Sequence, residues 1–163
     1  MPGRICVKPQ IDETDARLLR LIQQDAALTA AQLSERLALS TSACHRRLQR
    51  LQASGVIDRT VALVNPRAVG RSAIVFVEIS LASQADEVLV AFETAVARVP
   101  DVLECHLMTG ANDYLLKVVA RDSEDFARIH RRHLARLPGV VRMQSAFALK
   151  TVCATTALPV DVT

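Results

Sequence analysis

The chain has 163 residues and a formal net charge of +3; half of its residues are apolar, and aromatics make up 3% with no tryptophan. Apolar side chains in that supply build one core or two small ones, whereas so few rings argue against a stacking platform for single-stranded nucleic acid. Cys6, Cys44, Cys105 and Cys153 show no paired spacing, the opening MPGRICVKPQ lacks a signal peptide's apolar run, and no stretch approaches a membrane span of about 20 residues, so a reduced, cytoplasmic protein with no membrane or metal partner is expected.

Asp12 and Asp15 open a first helix running to about Asp25, with Leu18, Leu19 and Ile22 inward and acidic residues where the helix dipole favours them. Thr29 to Ile57 reads as two more helices. Thr29 is an N-cap with Gln32 three residues on, and Leu33 and Leu37 share a face; Ala38, Leu39 and Ser40 then interrupt the period. Ser40 or Thr41 caps the next helix, Cys44, Leu48 and Leu51 form its buried stripe, and Gly55 stops it.

Opposite that stripe lie Ser42, Arg46 and Gln49, with Ala43, His45 and Arg50 at the edges and Arg47 nearer the core boundary. Such a helix fits the major groove, where Arg pairs with guanine and Gln with adenine while Ser, Thr and flanking arginines hold phosphates. A solvated basic helix face is the alternative. Charge favours DNA: residues 1–65 hold nine Lys/Arg against six Asp/Glu, whereas the remainder balances at eleven of each. So modest an excess implies that useful affinity comes from a dimer or larger assembly. Ala38 stands where many such turns have glycine.

Val56 to Val64 alternates as a small two-stranded wing, and Asn65-Pro66 with Gly70 marks a hinge. The expected organisation is an α+β chain: a winged helix-turn-helix domain over 1–64, a hinge over 65–72, and a second domain over 73–163. In the latter, Val75, Val77, Ile79 and Leu81 alternate as a strand, and Leu89, Phe92, Val96 and Val99 step as a helix. A strand follows from Val102 to Met108, a turn at Gly110 to Asp113, and a strand from Tyr114 to Ala120. A helix from about Ser123 to Leu137 and a strand from Val140 to about Leu149 complete the order βαββαβ. An internal repeat supports it, since Ala97-Arg98-Val99-Pro100-Asp101-Val102 recurs 38 residues on as Ala135-Arg136-Leu137-Pro138-Gly139-Val140. A duplicated helix-to-strand unit makes a ferredoxin-like sheet, whose bare face calls for a homodimer.

Four motifs in this order carry a resemblance: Asp12-x-x-Asp15-x-x-Leu18-Leu19; Leu33-Ser34-x-x-Leu37-x-Leu39-Ser40; Ser42-x-Cys44-x-Arg46-Arg47-Leu48 with Gly55-Val56-Ile57; and Val102-x-Glu104-Cys105 through Thr109-Gly110-x-x-Asp113-Tyr114. Over residues 12–158 the chain resembles the Lrp/AsnC family of transcription factors. The resemblance implies a DNA reader at Ser40, Thr41, Ser42, His45, Arg46, Arg47, Gln49 and Arg50. It also implies a C-terminal domain that dimerises, assembles into tetramers or octamers, and binds an effector, commonly an amino acid, at Met108, Thr109, Gly110, Asn112 and Asp113. Gln144 and Ser145 of a neighbouring subunit are implied to face that turn. Asn112 replaces an aromatic of many relatives and Ala43 a proline, which leaves the pocket wall and the start of the reading helix open.

Gly110 lets backbone amides approach a carboxylate and Asp113 accepts from an ammonium, so the turn suits a zwitterion; a plain hairpin using Gly and an Asx bond is the other reading. The expected function is a promoter-binding regulator on pseudo-palindromic duplex DNA that responds to an amino acid. The alternative is an effector-independent architectural DNA-binding protein. Catalysis is not expected: His130 and His133 lie three apart near Asp125, with His106 and Cys105 elsewhere, but Arg128, Arg131, Arg132 and Arg136 crowd that helix and repel a cation.

Overall fold

In the computed structural model, which describes residues 10–162, helix α1 (Glu13–Gln24) starts at Asp12. The Asp12 carboxylate accepts the Asp15 N–H at 2.7 Å and Asp15 accepts the Asp12 N–H at 3.2 Å, so two backbone donors left over at a helix start are satisfied reciprocally. Thr29 and Gln32 repeat the arrangement at α2 (Ala30–Leu37). Ser40 caps α3 (Thr41–Ala53) by accepting the Ala43 N–H. Between α2 and α3 the chain turns on Ala38, which at φ 55° is the one left-handed residue other than glycine among those described. Its Cβ makes that conformation cost on the order of 1 kcal/mol. Gly55, at φ 75°, ends α3 without such strain.

Leu18, Leu19, Leu33, Leu37, Cys44 and Leu51 form the core of this helical unit, and each leucine fully removed from water contributes about 2 kcal/mol. The segment expected as a wing follows α3. Residues 57–64 contain no strand, and Val61, Leu63 and Val64 stand exposed. The expected hinge is a hydrogen-bonded turn, with the Arg71 N–H donating to the Pro66 carbonyl at 2.7 Å and the Arg67 N–H to the Asn65 side chain at 3.0 Å.

The second unit is a four-stranded antiparallel sheet in the order β2-β3-β1-β4, from β1 (Ala73–Leu81), β2 (Val102–Leu107), β3 (Tyr114–Ala120) and β4 (Val140–Phe147). Helices α4 (Asp86–Val96) and α5 (Ser123–Arg132) bury Phe92, Val96, Phe126 and Ile129 against Val75, Val77, Ile79, Leu116 and Val118. Alternation leaves Ile74, Phe76, Glu78 and Ser80 of β1 on the other face, where Phe76 pairs across with Lys117 and Ala146.

The repeat is visible in the hydrogen bonds: the Val99 N–H donates to Val96 at 3.0 Å and, 38 residues on, the Leu137 N–H to Leu134 at 3.1 Å, with both Val99 and Leu137 buried. The second helix is shorter than its periodicity suggested. It stops at Arg132, His133 breaks it, and a 3₁₀ turn covers Leu134–Arg136. Pro138 holds Leu137 extended, and the tighter turn buries Leu134 and Leu137 three residues apart.

The two compact units divide between Ala62 and Leu63, and the tail from Cys153 joins the helical unit. The expected second domain over 73–163 therefore loses its last segment to the first. The cause is local to the helical unit: the Val160 side chain packs against its core. Among the described residues no helix is long and apolar enough to cross a membrane.

Candidate nucleic-acid interface and effector turn

Helix α3 buries Cys44 and Leu51 and leaves Thr41, Ser42, His45, Arg46, Gln49, Arg50 and Gln52 exposed. Ser40 serves the backbone as cap and shares a hydrogen bond with Ser42 through their hydroxyls at 3.1 Å. Arg46 has no carboxylate partner among the described residues, and Gln49 follows it by three positions, so the two project from one side of the helix.

Arg47 and Arg50 are differently employed. Arg47 donates to Asp12 at 2.6 Å and to Asp15 at 2.8 Å, and Arg50 pairs with the other oxygen of Asp15. The Asp15 side chain is wholly buried, and its carboxylate joins the start of α1 to the middle of α3. The Arg47 guanidinium holds the Asp12 carboxyl below the usual aspartate range, and Asp12 in turn raises Arg47. Both arginines expected as phosphate contacts thus pair with carboxylates of α1, and Ser42, His45, Arg46 and Gln49, with Thr41 beside the cap, are the expected site residues on α3 that no carboxylate holds. What the sequence reading missed is the pairing itself: Asp12 and Asp15 were read for the helix dipole and as part of a family motif, and not as partners of Arg47 and Arg50. Arg47 near the core boundary, with Arg50 three residues on, was the available sign.

The turn Met108 to Asp113 is closed by the Met108 N–H donating to the Asp113 carbonyl at 2.8 Å, and anchored to β1 by the Asp113 N–H donating to Ile79 at 2.8 Å. Gly110 sits at φ 126°, a conformation that side-chain-bearing residues rarely adopt. No hydrogen bond among the described residues uses the backbone amides of Thr109, Gly110 or Ala111. Asp113 accepts the Leu81 N–H and the Gln84 side-chain amide, each at 2.7 Å, and the Leu81 bond first of all holds its carboxyl below the usual range. It therefore shapes the β1–α4 connection, with one donor on each oxygen. Asn112 donates to Glu78 at 2.9 Å and accepts from Ser80 at 3.1 Å.

Of the two residues implied on the last strand, Gln144 pairs with Glu78 and so shares the open face that Asn112 reaches, whereas Ser145 pairs with Val77 on the helix side. Adjacent strand residues point to opposite faces, so within one chain only Gln144 belongs with Asn112. Beside the stem of the turn a shallow cavity of about 420 Å³ is lined by Glu93, Val96, Cys105, Leu107 and Tyr114. The Tyr114 hydroxyl donates to Glu93 at 2.8 Å. Burial pushes the Cys105 thiol up to about 11, far from the thiolate a nucleophile needs. Asp125, considered with the histidines of α5, is occupied by Arg121, Arg128 and the Arg121 N–H.

Residues 11–58 match a family model described as a winged helix-turn-helix DNA-binding domain, and residues 74–158 match one described as the Lrp/AsnC ligand binding domain. The chain is 34% identical to the DNA-binding transcriptional activator DecR of Escherichia coli over 93% of its own length and 99% of that protein. It is 38% identical to the leucine-responsive regulatory protein of E. coli, over 80% of this chain and 79% of that one. Among solved structures, a transcriptional regulator of Neisseria meningitidis in complex with L-Met superposes with a TM-score of 0.86 at 36% identity, covering 91% of this chain and 96% of that chain.

Proposed function

The chain belongs to the Lrp/AsnC family of DNA-binding transcriptional regulators, and on that premise we propose that α3 reads promoter DNA while the Met108–Asp113 turn takes an amino acid. In this reading Arg46 and Gln49 meet base edges, Ser42 and His45 flank them, and Ser40 and Thr41 present the start of α3 to phosphate. Arg47 and Arg50 act through Asp15, as positioning residues that hold α3 against α1. The observation that carries the DNA half is an exposed, well-capped helix whose one unpartnered arginine faces outward among hydrogen-bonding side chains. Relatives that match the chain are regulators of transcription, and it is not an enzyme.

At the turn, unused amides around Gly110 suit the effector's carboxylate, and the remaining lone pairs of Asp113 suit its ammonium. The Neisseria regulator solved with L-Met supports an amino acid as the class. The open sheet face supports a homodimer: Phe76 is 39% exposed there, and around it the Glu104–Lys117 pair at 2.7 Å and the Asn112–Glu78 bond make a polar frame. A twofold dimer presents two copies of α3 to a pseudo-palindromic site, and further association of dimers makes a tetramer or octamer. Effector binding then shifts DNA affinity by favouring one assembly over another.

An amino-acid panel tests the sensing half. Thermal unfolding of the full chain rises with the effector, by the equivalent of about 2.7 kcal/mol at a hundredfold excess over Kd, and calorimetry registers heat with the same compound. If no common amino acid gives heat, a thermal shift or a change in oligomeric state, the effector-independent architectural reading replaces this one.

A further inference from the structure

The tail beyond β4 is held by α1. Gln23 grips Leu158 by both of its backbone groups: the side-chain nitrogen donates to the Leu158 carbonyl at 3.1 Å, and the side-chain oxygen accepts the Leu158 N–H at 2.7 Å. Arg20 donates to the Val160 carbonyl at 2.7 Å. Val160 packs its side chain against the core that contains Leu18, Leu33 and Cys44. Arg20 and Gln23 are three apart on α1 and so share one side of it, while Leu158 and Val160 are two apart on an unstructured segment. Before them Thr155 accepts the Ala157 N–H at 3.0 Å and bends the approach.

A side-chain amide that takes both the N–H and the C=O of one residue imitates a strand neighbour, reading main chain and leaving specificity to a neighbouring apolar side chain. We propose that this side of α1 is a peptide-docking surface whose occupant is the chain's own segment 155–162, and that the docked strap is a second tether on the DNA-reading unit. The chain crosses between its two units twice, at 62–63 and at 152–153, so docking fixes the helical unit at both crossings. A unit tethered at one point tolerates many placements of its reading helix; one tethered at two tolerates few. The tail is sequentially continuous with β4 of the effector unit, which gives a change in assembly a direct mechanical route to α3. None of the groups that hold the strap belongs to α3, so docking does not compete with DNA. Three hydrogen bonds at an exposed edge also open locally without unfolding the unit, and strap release is a graded control on DNA geometry. This role rests on the DNA-reading proposal above.

Two measurements on the full chain test it. In amide hydrogen exchange, the Leu158 N–H is protected in the wild type and exchanges at least about tenfold faster in Gln23→Ala, with protection of α3 unchanged. A Leu158 amide exchanging at the unfolded rate in the wild type overturns the docking. The second measurement binds the dimer to duplexes whose half-sites are displaced by about half a helical turn, roughly five base pairs. Wild-type affinity drops about tenfold, and a chain ending at Val152, or Gln23→Ala, loses no more than about threefold. Equal sensitivity in wild type and variants overturns the tether. Failure of the wild type to hold any duplex overturns instead the reading of α3, a result on which the exchange measurement does not depend.

Discussion

Asp12-x-x-Asp15 at the head of α1 and Asp122-x-x-Asp125 at the head of α5 are one local arrangement put to two uses. In each, the first aspartate caps the helix and accepts the N–H of the second, at 2.7 Å and 2.8 Å, and in each the second aspartate is buried. Their cations differ in origin. Asp15 takes Arg47 and Arg50 from α3, partners 32 and 35 residues away in sequence, so it joins two helices. Asp125 takes Arg121 and Arg128 from within four residues, and Arg71 at 3.5 Å from the turn before β1. Arg71 is held more closely by Asp101, at 2.8 Å. A buried carboxylate at the third helical position is a socket, and what it fixes depends on where the arginines come from.

Breaking the first socket has the largest effect. Asp15→Ala removes a buried acceptor from two arginines and a backbone N–H, and the helical unit loses about 2–3 kcal/mol in denaturant unfolding. DNA affinity falls with it, because α3 loses its brace. The second socket is read by acid. Backbone and guanidinium donors of Arg121 hold the Asp125 carboxyl at about 2, below its ordinary 3.8, so its contribution is complete above pH 4 and is lost as pH falls toward 2. Asp125→Asn flattens that stretch of the stability profile of the sheet unit, and an unchanged profile contradicts the assignment. The smallest effect separates the brace from the turn that leads into α3. Ala38→Gly relieves a left-handed residue and stabilises the helical unit by about 0.5–1 kcal/mol, less the entropy glycine gains on unfolding; a fall in Tm contradicts it.

Elements whose determinants are local were legible in the sequence. The Thr29–Gln32 capping box, the left-handed Gly55 and the strand Tyr114–Ala120 each follow from a few neighbouring side chains, and the duplicated helix-to-strand unit fixed the βαββαβ order. What escaped depends on partners distant in sequence. Asp15 cannot be recognised as a brace until the crossing of α1 and α3 brings Arg47 and Arg50 to it. The tail carries no periodicity, because Gln23 and Arg20 hold its backbone, so nothing in the sequence separated it from the sheet unit. At the Met108–Asp113 turn, the glycine requirement was readable, but the commitment of Asp113 to Leu81 and Gln84 needed the β1–α4 connection in three dimensions.

The account turns on α3 presenting Arg46 while Arg47 and Arg50 stay with α1. The most direct test is the salt dependence of duplex binding by Arg46→Ala beside the wild type, with thermal unfolding measured on both. The account predicts weaker binding, a slope of log affinity on log salt reduced by about one if Arg46 neutralises a phosphate, or relaxed sequence preference at one base pair if it reads guanine, and an unchanged Tm. Binding, salt slope and sequence preference all equal to those of the wild type would contradict it.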